Sequence, residues 1–276
     1  DASTWNWKSF NRINNNWILP NYRYILFCSR KGSKKRTKTR TLCIVNMKIY
    51  NIFPLTIYQS KIEIEENEKK KLISLIKDMK VNSKNLEYYN KVGSWTGDTQ
   101  GFENLHHNPD FINFHKEVKK KIIEYLNVLN IDQNQLDIYV QRSWATISEG
   151  KEHIDKHSHL QSHISFAYYL KKSKGDSKIN FYDDKRHNEL IPGLFESPTA
   201  NKRKILKKID LHNSSSISID PDEGDIVIFP SKTPHSTQPN VTNNERISIS
   251  ADITLIAKDS ELLEHLTPPI SNWQKI

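Results

Sequence analysis

Cysteine is nearly absent from this 276-residue chain: it has two, Cys28 and Cys43, and both lie in the first 46 residues. The other 230 positions therefore carry no disulfide framework and no thiolate metal site, which leaves the redox compartment unset. Cytoplasm is the default expectation. Long apolar runs are also missing. Nothing approaches the roughly 20 apolar residues of a membrane span, and the stretch from Trp17 to Cys28 is broken by Pro20, Asn21 and Arg23 and lacks the charged-then-apolar order of a signal peptide. There is no internal repeat, no Gly-rich phosphate loop, no CxxC pair and no GxSxG elbow, which removes the common nucleotide, zinc-ribbon and serine-hydrolase readings.

What is present is 36% hydrophobic and 10% aromatic residues, enough for a true core in one large domain or two small ones. The net charge of +9 is unevenly spread. Residues 1–46 hold ten of the 41 Lys and Arg but one of the 32 acids, so the remainder balances at 31 against 31. The basic run RKGSKKRTKTR at 30–40 is either a solvated tail or a nucleic-acid arm, and the neutral body makes nucleic-acid binding the weaker expectation. The first methionine is Met47, and composition changes there. The expected division is a basic, non-native or disordered extension over 1–46, a domain over 47–258 with a helical lead to 135, and a tail over 259–276.

Periodicity fills in that domain. IYNIFPLTIY reads as a strand broken at Pro54. The segment 65–80 reads as a charged helix with the core stripe Leu72, Leu75, Ile76 and Met79. A second helix starts at Asn108-Pro109, where Asn caps and Pro fits the first turn, and runs through Phe111, Phe114, Val118, Ile122, Tyr125 and Leu129. From Leu136 the period falls to two, with strands expected at 136–147, 163–170, 177–182, 216–220, 225–229 and 245–256. The fold expected is mainly β with α: a jelly roll or sandwich with the helices packed on one side. The connection 183–215 is long and reads as a lid or binding loop.

Four of the eleven histidines, His153, His157, His159 and His163, fall within eleven residues. In extended chain, positions i and i+2 share a face, so His157 and His159 reach one ion. His235, closing GDIVIFPSKTPH, is the natural third ligand from a distant strand, and such a set suits a metal that keeps open positions for substrate. A second pattern, His153 and Asp155, offers the His-x-Asp alternative. Arg246 opens ERISIS, sharing a face with Ser248 and Ser250. Alone it reads as a solvated arginine on a surface strand; on an inner strand its guanidinium fork would call for a carboxylate. Trp144 is either a pocket wall or core.

Taken together, HSHLQSHISFAYYL at 157–170, GDIVIFPSKTPHSTQPN at 224–240 and ERISIS at 245–250 resemble the 2-oxoglutarate/Fe(II) oxygenase family of marine bacteria and their phages. NIFPLTIY at 51–58 and TGDTQGFENL at 96–105 are similar to that family's opening and to its loop before the second helix, so the likeness extends from Met47 to about Ile256. The resemblance implies a cupin-like double-stranded β-helix. It implies Fe(II) held by His157, His159 and His235, and 2-oxoglutarate held through its distal carboxylate by Arg246 and Ser248. It further implies O2-dependent conversion of 2-oxoglutarate to succinate and CO2, coupled to hydroxylation of an unidentified substrate. Residues 95–105 and 183–215 are the expected rim. The competing readings are a cupin-like metal enzyme independent of 2-oxoglutarate, in which Arg246 has no role, a barrel that has lost its metal, and a nucleic-acid binder using the basic segment. Neither the primary substrate nor the oligomeric state is written in the sequence.

Overall fold

The change of period at Leu136 is where the sheets begin. In the computed structural model, which describes residues 24–28, 41–45, 50–83, 93–259, 261 and 266–276, the chain divides into two compact units, Asp1–Leu55 and Thr56–Ile276. In the first unit, β1 (Tyr24–Cys28) and β2 (Thr41–Val45) pair antiparallel with Tyr24 opposite Val45. The basic run at 30–40 lies outside the described residues.

The second unit opens with β3 (Tyr58–Lys61) and α1 (Glu66–Val81). The strand expected over 49–58 thus begins only at its last residue, and Tyr50 to Ile57 carry no strand. There follow the short β4 (Trp95–Thr96) and α2 (Ile112–Val128). A single turn over Pro109–Phe111 precedes α2, and there the Asn108 side chain accepts the Asp110 N–H at 3.0 Å, the cap that the Asn-Pro pair announces.

Nine strands of this unit build two facing sheets. The larger has the order β3, β9 (Asp225–Pro230), β6 (Ile164–Lys171), β11 (Arg246–Ala257), β5 (Leu136–Ser148), β4. The smaller has the order β10 (His235–Thr237), β7 (Ile179–Tyr182), β8 (Ser216–Ile219). Residues 157–163 add a rung beside β10: His157 and His235 exchange backbone hydrogen bonds at 3.0 and 2.9 Å, and His159 N–H donates to Ser231 at 2.9 Å. Consecutive segments therefore alternate between sheets, from β5 to 157–163 to β6, across to β7 and β8, back to β9, over to β10, and home in β11. This is the double-stranded β-helix form of the jelly roll.

A period of two sorts every strand of the large sheet into two faces. Ala145, Ile147, Phe166, Tyr168, Ile226, Ile228, Ile247, Ile249 and Ala251 point outward and form one buried cluster with Leu72 and Ile76 of α1 and Phe114, Val118, Ile122, Tyr125 and Leu126 of α2. The helices thus cover one side of the sheet. Tyr169, Ile179, Phe181, Val227 and Phe229 form a smaller cluster between the sheets. One further helix, α3 (Pro198–Lys202), lies within the 183–215 connection, which the sequence reading leaves without regular structure. Among the described residues no helix is long and apolar enough to cross a membrane.

Candidate metal and co-substrate site

Between the sheets lies a cavity of about 390 Å³ whose lining includes His157, His159 and His235, with Arg246, Ser248 and Ser250 on the β11 wall. Each histidine can present one nitrogen such that all three lie within 4.8 Å of one another. Ring centroids are 4.3 Å apart for His157 and His235, 5.0 Å for His157 and His159, and 5.3 Å for His159 and His235. Residues spaced i and i+2 on one rung, with the partner rung opposite, are what bring three imidazoles to one point.

Their tautomers follow from their partners. Nδ1 of His157 lies 2.8 Å from the Asp155 carbonyl, and that of His235 2.9 Å from the Thr233 carbonyl. Nδ1 of His159 lies 2.5 Å from Asp252 Oδ1. Carbonyls and an ionised carboxylate only accept, so each Nδ1 carries a proton and Nε2 is the nitrogen left to face a metal. Burial, reinforced by the neighbouring His157, pushes the His235 imidazole down to about 3. The protein packed around His157 lowers it as well, against the Asp155 carbonyl that raises it. His157 and His235 are thereby favoured as neutral rings, the form a transition metal needs.

Asp252 is the functional residue that the sequence reading missed. It is 0% exposed and accepts from His159 and Ser165 (3.0 Å) on Oδ1, and from Arg142 Nε (2.7 Å) and Gln161 (2.9 Å) on Oδ2. Burial alone would raise its carboxyl, but His159 first and then Arg142 bring it down to about 2. The sheet register explains the cluster: Asp252 lies opposite Arg142 of β5 and Ser165 of β6. A bulge follows at once, since Ile253 pairs with Val140 and leaves Gln141 unmatched. The signal available in the sequence was an acid in the middle of an apolar strand, on the same alternation as Arg246, Ser248 and Ser250.

Arg246 is 1% exposed, so the solvated surface arginine that the sequence permitted is not what the fold builds. Opposite it in the register is Ser148, whose hydroxyl accepts from Nη2 at 2.6 Å. Nε and Nη1 have no hydrogen-bond partner among the described residues. Burial lowers its pKa, with Tyr169 and Asp176 opposing. A buried guanidinium with open N–H groups in a cavity wall is costly unless an anion meets it, and its fork suits a carboxylate. Tyr169 on the same wall is pushed up to about 12 by burial and stays a neutral phenol.

Trp144 proves to be both core and wall: it is 6% exposed, lines the cavity and stacks on His159 with centroids 5.7 Å apart. His153 and Asp155, the alternative pair, lie at the mouth and pair with each other at 3.2 Å; the Asp155 side chain is 96% exposed. His163 points elsewhere and accepts the Leu255 N–H at 3.0 Å. Of the expected rim, Thr96, Asp98 and Thr99 line the cavity, whereas no residue of 183–215 does.

A double-stranded β-helix thus brings into one cavity three convergent histidines that could hold a metal ion and a buried arginine that could meet an anion. Residues 142–252 match the model of the family described as "Putative 2OG-Fe(II) oxygenase". The matched stretch runs from Arg142 to Asp252 and includes every histidine and arginine of the cavity. Solved structures similar to this chain include a 2OG-Fe(II) oxygenase family oxidoreductase from Burkholderia pseudomallei, at 10% identity and TM-score 0.32, covering 44% of this chain and 46% of that one. A Pseudomonas putida prolyl-4-hydroxylase aligns at 11% identity and TM-score 0.45, over 72% of this chain and 92% of that one. HygX from Streptomyces hygroscopicus, solved with nickel and 2-oxoglutarate bound, aligns at 9% identity and TM-score 0.44, over 72% and 82%. No curated protein matches this chain.

Proposed function

We propose that this chain is an Fe(II)- and 2-oxoglutarate-dependent dioxygenase that hydroxylates an as yet unidentified substrate, with succinate and CO2 as co-products. One observation carries the reading. The cavity that presents three histidine Nε2 atoms also holds a buried arginine whose Nε and Nη1 are unpaired among the described residues, so a metal-ligand set and an anion receptor open onto one space.

In this reading His157, His159 and His235 would hold the iron through Nε2, and a set of three protein ligands would leave positions for the co-substrate and O2. Bound iron would supply the activation of O2 coupled to decarboxylation of the 2-oxo acid. Arg246 would take the distal carboxylate, with the Ser248 hydroxyl beside it on the same face, and so fix the co-substrate's orientation. Trp144 braces the His159 ring, and the apolar wall of Phe229 and Ile179 limits water around the reacting groups. Asp155 and His153, turned to the mouth, are left out of the ligand set. The domain would span 47–258 with its catalytic core in 136–258. The likeness to the marine bacterial and phage family, together with the intracellular supply of Fe(II) and 2-oxoglutarate, favours the cytoplasm of such a host.

The test is anaerobic titration of the protein with Fe(II) and then 2-oxoglutarate, followed by succinate assay in air. A visible charge-transfer band and succinate release in the parent, both lost in Arg246→Met, are the expected result. Iron binding with no band, or succinate release indifferent to Arg246→Met, would transfer the chain to the cupin-like class that does without 2-oxoglutarate.

A further inference from the structure

Three imidazoles are neutral ligands, so a His157, His159, His235 site leaves the full charge of a divalent ion uncompensated. Sites with two histidines and a carboxylate cancel one unit of it directly. Resting on the metal assignment above, we propose that Asp252 is a positioning residue that restores this missing negative charge one bond further out, acting on the metal through His159.

The geometry divides the carboxylate between two tasks. Oδ1 accepts the His159 Nδ1 proton at 2.5 Å and the Ser165 hydroxyl at 3.0 Å, while Oδ2 accepts from Arg142 at 2.7 Å and Gln161 at 2.9 Å. Four donors from three separate segments prevent rotation, and the group is wholly buried. Arg142 offsets its charge only in part, because the same guanidinium also meets Asp98 at 3.3 Å. Asp98, which lines the cavity, thus shares the Arg142 guanidinium with Asp252 and leaves the buried carboxylate part of its charge for His159. A ligand imidazole whose Nδ1 proton is held by a carboxylate is a stronger donor at Nε2, and loss of such a partner typically weakens metal binding by about 10- to 100-fold. By contrast, the Nδ1 protons of His157 and His235 go to neutral carbonyls. Of the three ligands, His159 is the one whose Nδ1 proton is held by a carboxylate.

The experiment compares Co(II) affinity and the Fe(III)/Fe(II) midpoint potential in the full chain, in Asp252→Asn and in Arg142→Met. Asp252→Asn is expected to bind Co(II) about 10- to 100-fold more weakly and to raise the potential. Arg142→Met leaves the carboxylate more fully on His159, so it is expected to bind at least as tightly as the parent and to lower the potential. Opposite signs are what a merely structural contact would not give. If both variants weaken binding together, or Asp252→Asn binds within twofold of the parent, the proposal is overturned. Should Asp252→Asn fail to fold, Ser165→Ala removes the donor that competes for Oδ1 and is expected to tighten Co(II) binding; weaker binding there overturns the proposal equally. Failure of the parent itself to bind Co(II) or Fe(II) would instead sink the metal assignment, which separates the two claims.

Discussion

The two ends of the cavity are finished in different ways. At the histidine end every Nδ1 proton has an acceptor, and two of the three residues are locked to each other by a pair of backbone hydrogen bonds. At the arginine end a guanidinium is buried with one hydrogen-bond partner, Ser148, and two nitrogens that find none among the described residues. One end is arranged at no loss of hydrogen bonding; the other holds an unmet demand. The fold therefore tolerates an empty metal site more easily than an empty anion site, and substitutions should separate the two.

The largest effect is expected at the metal end. His235→Ala should cut Co(II) affinity by more than about 100-fold, beyond the loss of an outer partner, as read by absorption titration. Parent-like affinity would dismantle the three-histidine set. Arg246→Met should break the comparison from the other side. In urea melts the apo protein should gain on the order of 1–4 kcal/mol, because an incompletely paired buried charge is replaced by apolar volume. It should also lose the stabilisation of about 2.7 kcal/mol that 2-oxoglutarate at 100 times its Kd gives the metal-loaded parent. A less stable variant would mean that the arginine is adequately satisfied without a ligand.

The pH dependence sharpens the same contrast. His235 titrates near 3 in the folded protein and ordinarily near 6.5, so below about 6.5 the unfolded chain binds a proton that the native state refuses. Apo stability should fall as pH drops from about 6.5 towards 3, by up to about 1.4 kcal/mol per unit for this one group. Asp252, depressed to about 2, adds a loss of the same sign as pH falls from its ordinary range to that value. Melts between pH 8 and 4 that stay flat would contradict the neutral burial of His235. The smallest effect is Asp155→Asn. A side chain open to water should change stability by less than about 0.5 kcal/mol and leave metal affinity unmoved, whereas a large loss would revive the His-x-Asp alternative.

Much of this was legible in the sequence because one face of each long strand is apolar. The strand expected at 245–256 is found at Arg246–Ala257, and that at 225–229 at Asp225–Pro230. Both amphipathic helices form where their stripes put them. His157 and His159 share a face because they are two apart in extended chain, and His235 joins them through its backbone pair with His157. Less legible were elements that owe their shape to partners. β10 is three residues long and exists because β7 and the 157–163 rung flank it. The opening segment carries the apolar composition of a strand, yet pairing with β9 starts only at Tyr58. Arg246 was read alone as solvated because a single alternation does not say which face is covered; α1 and α2 take the isoleucine face and turn the polar one inward. Asp252 stayed hidden because its importance lies in four contacts from distant positions.

The mutual backbone pair between His157 and His235 has a kinetic corollary. Two of the three donors stand on adjacent rungs joined by main-chain hydrogen bonds, and their rings are tethered to carbonyls two residues upstream in the chain. Capture of an ion then requires no loop to close and no ring to flip. Loading should behave as it does for a rigid chelator, first order in free metal and paced by loss of the ion's own water, with no lag from rearrangement of the polypeptide.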